Sequence, residues 1–195
     1  MKKFIVYLLA VSILCAAFVS CGSDTGAENS GTPDNPAAEN FAETAEVDIA
    51  ASELAEKILA AYPEEDVPSL YTFLYGAADD SDNYLEPDRA GMFFTGEYGN
   101  VPEAFGNQTD FAYLIPTGYY VFEIDVIRSG DAKAAEELLK LRLAQKNNGD
   151  IEQYRPEELP QLEDAEIFSV GSYTFLISTK DNAAAHAVID ELLGK

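Results

Sequence analysis

Apolar and polar residues alternate most regularly from Tyr120 to Ile127, with Tyr120, Phe122, Ile124 and Val126 on one side and Val121, Glu123, Asp125 and Ile127 on the other. A two-residue period is that of a strand with one buried face. The period then changes. Ala135, Leu138, Leu139, Leu141 and Leu143 form a broad apolar stripe in a helix over 132–146, with Asp131 as its cap and Asn147-Asn148-Gly149 interrupting it. Ile167 to Val170 and Tyr173 to Ser178 predict two strands joined by Gly171-Ser172, a two-residue hairpin loop. A last helix spans about 183–193, capped by Asp181 or Asn182, with Ala185, Val188, Ile189 and Leu192 inward and Gly194 as its stop.

The pattern upstream is looser. Leu54, Ile58, Leu59 and Tyr62 predict a helix over about 50–62, with Ser52 as cap, Glu53 and Glu56 in its first turn, and Pro63 as terminator. Ser69 to Gly76 reads as a strand or a short buried segment, 79–89 as an acidic loop, and 98–110, rich in Gly, Asn and Pro, as another loop. From Gly22 to about Glu46 the chain is Gly, Ser, Thr, Asn, Pro, Ala and acid, too poor in apolar surface to offset ordering entropy, and it reads as a flexible spacer. These elements predict a single α+β domain over 47–195: a small antiparallel-rich sheet with helices packed on one face, ending in the order strand, helix, strand, strand, helix.

The first twenty residues are of another kind. Lys2 and Lys3 precede an apolar run from Phe4 to Val19, too short to span a membrane comfortably and built like a cleaved secretory signal. It ends in Phe18-Val19-Ser20-Cys21, which resembles the lipobox of bacterial lipoproteins, with Phe18 where that pattern usually has Leu. The resemblance implies a diacylglycerol on Cys21 and cleavage before it. Each buried methylene adds about 0.8 kcal/mol, so two acyl chains give a lasting anchor on the extracytoplasmic face of a membrane.

Charge and cysteine content narrow the function classes. The whole chain carries a net charge of -23; loss of residues 1–20 removes two lysines and no acid, leaving -25. Such a surface repels phosphate backbones and anionic headgroups, so nucleic acid is disfavoured as a partner. With Cys15 in the signal and Cys21 lipidated, no thiol remains for a disulfide, a zinc cluster or a nucleophile. No cofactor motif is present, and oligomeric state has no signature in the sequence.

Farther along, Gln145-Lys146, Tyr154-Arg155-Pro156-Glu157 and Ile167 to Tyr173 resemble a family of uncharacterised bacterial lipoproteins defined only as a domain of unknown function. Leu74-Tyr75-Gly76 and Glu123 match as well, and the likeness covers roughly Ala50 to Leu193 apart from an acidic insertion at 83–107. It implies a membrane-anchored extracytoplasmic α+β domain and supplies no catalytic residues.

Candidate chemistry is sparse. In the run from Asp79 to Asp88, the residues Asp80, Asp82, Glu86 and Asp88 are candidate calcium ligands, since hard cations take clustered oxygens. The spacing is not that of an EF-hand: counting from Asp80, the required Gly falls on Leu85 and the bidentate Glu on Gly91. A solvated acidic loop is the commoner state, so no metal site is assigned. His186, the only histidine, has no nucleophile motif to build a triad. Carboxylate pairs for glycoside hydrolysis arise by chance among 35 acids, and the chain has no Trp as a sugar platform. Tyr154, Pro156 and Tyr173 read most simply as structural, while the eleven tyrosines, several within 92–120, suit a ligand or partner surface. The expectation is a non-enzymatic binding or envelope-assembly module, held to the membrane by its lipid and meeting an extracellular protein or cell-wall ligand. A carboxylate-dependent hydrolase and a cation-binding adhesion or sensor domain are the alternatives.

Overall fold

In the computed structural model, residues 48–194 are described; the signal segment, Cys21 and the 21–46 linker lie outside them. The elements run α1 (Ala51–Leu59), a 3-10 turn (Glu64–Asp66), β1 (Leu70–Leu74), α2 (Pro87–Thr95), α3 (Glu103–Gly106), β2 (Asp110–Pro116), β3 (Glu123–Arg128), α4 (Ala132–Lys146), α5 (Asp150–Tyr154), a second 3-10 turn (Pro156–Glu158), α6 (Leu159–Glu163), β4 (Glu166–Val170), β5 (Tyr173–Ser178) and α7 (Asn182–Leu193). The five strands form one sheet in the order β1-β2-β3-β5-β4, antiparallel at every pairing. This is the expected α+β class with a small antiparallel sheet.

The placement of the helices differs from the expectation, because they cover both faces of the sheet rather than one. Ala112 and Leu114 of β2, Ile124 and Val126 of β3, and Phe175 and Ile177 of β5 pack with Leu54 and Ile58 of α1 and Ala185 and Ile189 of α7. The residues of opposite parity, Phe111, Tyr113 and Ile115 of β2, Ile127 of β3 and Leu176 of β5, pack with Ala90 and Phe94 of α2 and Ala135, Leu138 and Leu139 of α4. Full burial of a Leu or Ile side chain stabilises the fold by roughly 1.5–3 kcal/mol, so each layer is well held. A strand sandwiched in this way loses the polar outer side that alternation predicts. Glu123 and Asp125 are fully buried beneath α4.

Several local readings change for stated reasons. Ser52 does not cap α1; the N-cap is Ala50, and the Asp110 carboxylate accepts the Ala51 N–H at 2.8 Å from across the fold. The helix stops at Leu59, short of Tyr62, whose hydroxyl is bonded to Thr179 and to the Asp181 carbonyl. The acidic 79–89 stretch turns helical at Pro87, a residue suited to a first helical turn. The 98–110 loop contains the single turn α3 and leads into β2, which the sequence left unassigned. Leu141 is exposed, and the inner face of α4 runs Ala135, Leu138, Leu139, Arg142, Lys146. Asp131 caps α4 as expected, accepting from Ala134 N–H at 3.0 Å. The β4–β5 hairpin turns at Gly171, whose φ of +58° is in the region that favours glycine.

Candidate functional site

One end of the sheet carries an aromatic surface. The loop between β2 and β3 presents Tyr119 and Tyr120, and the segment after α4 presents Tyr154 and Arg155. Tyr119 and Tyr154 stack with ring centroids 4.4 Å apart while remaining 45% and 52% exposed, so the pair offers ring surface to solvent. Pro156 disfavours helical backbone at the residue before it, and Arg155 leaves the helix at φ -145° and ψ 59°, ending α5. Its guanidinium then lies over the Tyr120 ring at 4.0 Å and pairs with Glu158 at 2.7 Å and Glu157 at 3.3 Å. Glu158 also accepts the Val121 N–H at 2.6 Å, tying this segment to the entry of β3.

Beside this ledge lies a groove of about 730 Å³, into which Tyr120 and Arg155 both project. Its lining holds five carboxylates, Glu65, Asp66, Glu157, Glu158 and Asp164, against two cations, Arg155 and Lys180, the latter paired with Asp66. On the other side of Tyr119 and Tyr120 a smaller cavity of about 180 Å³ is bounded by Arg142, Gln145 and Lys146 of α4. The ledge therefore stands between two concavities, one of which is large enough for a small-molecule or peptide ligand.

Beneath α4 lies a buried polar cluster. Glu123 receives Arg142 through Nε at 2.6 Å and a second guanidinium nitrogen at 2.9 Å, and it also receives Lys146 Nζ. Burial works to raise the pKa of Glu123, but the two cations outweigh it and bring the carboxyl down to about 2. Asp125 sits two residues along the same strand face, and no N–H or hydroxyl donor reaches either of its oxygens. What Asp125 does meet is the Glu123 carboxylate, and burial followed by that negative neighbour pushes its pKa well above the ordinary range. Raised in this way, Asp125 favours its neutral, protonated form beside the ionised Glu123. Tyr113, opposite Asp125 on β2, has its pKa pushed up by burial and by Asp125.

A raised acid beside an ionised one is the pattern that a carboxylate hydrolase needs. Here it lacks the other requirement, access: both Glu123 and Asp125 are 0% exposed, and the ionised partner is spent on Arg142 and Lys146. The arrangement holds α4 to the sheet and offers no route for a substrate.

The residues singled out from sequence meet different fates. Among the described residues no three His, Cys, Asp or Glu side chains gather in a way that could hold a metal ion, so Asp80, Asp82, Glu86 and Asp88 do not form a calcium shell. Glu86 instead precedes α2 and accepts from the Tyr98 hydroxyl at 3.3 Å, and Asp88 lies in the first turn of α2. His186 stacks on Phe168 at 4.4 Å and bonds Glu166 at 2.7 Å, bracing α7 against β4. Tyr173 is structural as expected: its hydroxyl donates to the Ile49 carbonyl at 2.6 Å. Tyr154 is the last residue of α5 and at the same time half of the exposed stack. The tyrosine surface suggested for 92–120 exists at Tyr119 and Tyr120, completed by Tyr154 and Arg155 from outside that range.

Sequence reading missed Arg142 and Lys146, although their spacing was a signal. They continue the inner positions 135, 138 and 139 at helical intervals, and they follow a strand carrying two acids of one parity. No protein-family model matches the chain, no curated protein matches it, and no solved structure matches its fold.

Proposed function

We propose that this chain is the precursor of a bacterial lipoprotein, anchored outside the membrane through Cys21, whose domain is a non-enzymatic binding module with its ligand face at the Tyr119, Tyr120, Tyr154 and Arg155 ledge. The observation that carries the ligand face is the stacked and exposed Tyr119–Tyr154 pair beside a groove of about 730 Å³. Exposed rings fixed by stacking lose little entropy when they meet a partner, and tyrosine joins apolar area to a hydrogen-bonding tip. The lipobox-like Phe18-Val19-Ser20-Cys21 supports the anchor, as does the resemblance to uncharacterised lipoproteins over Ala50 to Leu193. Among the described residues no helix is long and apolar enough to cross a membrane. The low-complexity 22–46 stretch serves as the spacer between lipid and domain.

The test of the ligand face is a thermal melt of the full chain in nonionic detergent against cell-wall sugars and peptides. A ligand for the native state raises the melting temperature by mass action. Tyr154→Ala should abolish that rise, and a rise that survives both Tyr119→Ala and Tyr154→Ala would move the site elsewhere.

A further inference from the structure

The groove already shows what kind of group it accepts, because the chain places one of its own there. The Arg155 guanidinium lies over the Tyr120 ring and pairs with the carboxylates of Glu157 and Glu158, and Lys180 is held by Asp66. Aromatic faces and carboxylates together favour guanidinium and ammonium groups. After these internal pairs, Glu65 and Asp164 remain in the lining, exposed, with neither in an ion pair among the described residues. Next to the groove, Tyr119 and Tyr154 keep ring surface free. Phosphates, carboxylate ligands and acidic peptides would add negative charge to a lining with five acids and two already-paired cations. A basic partner removes that imbalance.

We propose that the groove and the Tyr119–Tyr154 ledge bind an extended basic peptide segment, its Lys or Arg side chains meeting Glu65 and Asp164 and the tyrosine rings. The proposal rests on the reading of this end of the domain as the ligand face, and names the partner class for it. Attraction from the net charge of -23 draws any cation toward the chain. What sets this end of the domain apart is that free ring faces border a groove whose lining holds unspent carboxylates, so the binding is localised and depends on both.

The experiment uses the full chain in nonionic detergent with fluorescein-labelled hexa-arginine, hexa-lysine and hexa-serine, read by anisotropy, and with cellohexaose read by calorimetry. The basic peptides should bind and hexa-serine should not. Tyr154→Ala, and separately Glu65→Gln with Asp164→Asn, should each weaken hexa-arginine about tenfold or more, the scale of a lost cation–π contact or charge pair. Asp190→Asn with Glu191→Gln makes the same charge change on α7, outside the groove, and should weaken it by less than about twofold, as expected of screened long-range charge. Equal losses from the two double variants would overturn the proposal in favour of diffuse attraction, and so would failure of both basic peptides to bind. If hexa-serine or cellohexaose binds and Tyr154→Ala removes it, the ligand face stands and the basic partner falls. If every probe is indifferent to both Tyr119→Ala and Tyr154→Ala, both fall.

Discussion

Replacing Glu123 by glutamine keeps the shape of the side chain and removes the one negative charge that Arg142 and Lys146 share. The size of the loss follows from the titration of the carboxyl. Its pKa falls from an ordinary 4.5 to about 2 in the fold, and at about 1.4 kcal/mol per unit this amounts to about 3 kcal/mol. The figure agrees with the roughly 3–5 kcal/mol lost when one partner of a buried ion pair is removed. A depressed carboxyl stabilises the fold above its unfolded pKa, so the contribution is full above about pH 4.5 and disappears as pH falls toward about 2. Urea unfolding followed by far-UV circular dichroism should therefore show Glu123→Gln less stable than the parent by about 3 kcal/mol at neutral pH, with the gap closing near pH 2. Asp125 is the group able to blunt the loss, by ionising once its negative neighbour is gone. The double variant Glu123→Gln, Asp125→Asn closes that route and should show the full deficit. A deficit below about 1 kcal/mol in the double variant, or one that persists unchanged near pH 2, would refute the assignment of the charge to Glu123.

Three further outcomes are expected. Asp125→Asn should leave stability equal or higher at neutral pH and flatten its decline as pH rises above the ordinary carboxylate range, measured as urea midpoints across pH. The sign is opposite to that of Glu123: a raised carboxyl contributes stability that is full below its ordinary pKa and is lost as pH climbs toward the raised value, whereas an amide stays neutral without having to keep a proton. Gly91→Ala should lower the melting temperature, by the equivalent of about 1–3 kcal/mol, because a Cβ there would stand 2.4 Å from the Glu97 carbonyl oxygen and 2.9 Å from Asn100 N, both rigid backbone. Cys21→Ser should move the protein from the membrane to the soluble fraction on cell fractionation, and tight membrane association in that variant would refute the lipid anchor.

Local pattern was enough for several elements, though not for α1, whose Ser52 cap and Tyr62 end the structure replaced. The Asp131 cap of α4, the Gly171-Ser172 hairpin and the Gly194 stop of α7 are decided by a few neighbouring residues and stand as read, whereas the alternation in β3 gave the strand but not the burial of both its faces. The signal and lipobox proposed for 1–21 rest on consecutive residues alone, and that proposal asks nothing of the fold. Tertiary structure decided which charged residues are buried. Glu123 and Asp125 occupy the side of β3 that a half-exposed strand would turn to water, and only the seating of α4 on that side puts them beside Arg142 and Lys146. Had they been exposed, solvent would have screened the same charges to little effect. The aromatic surface proposed as the ligand face depends on the fold in the same way: Tyr119 and Tyr154 are 35 positions apart in sequence, and no periodicity links them. They stack because the β2–β3 loop and the break at Arg155-Pro156 meet at one end of the sheet.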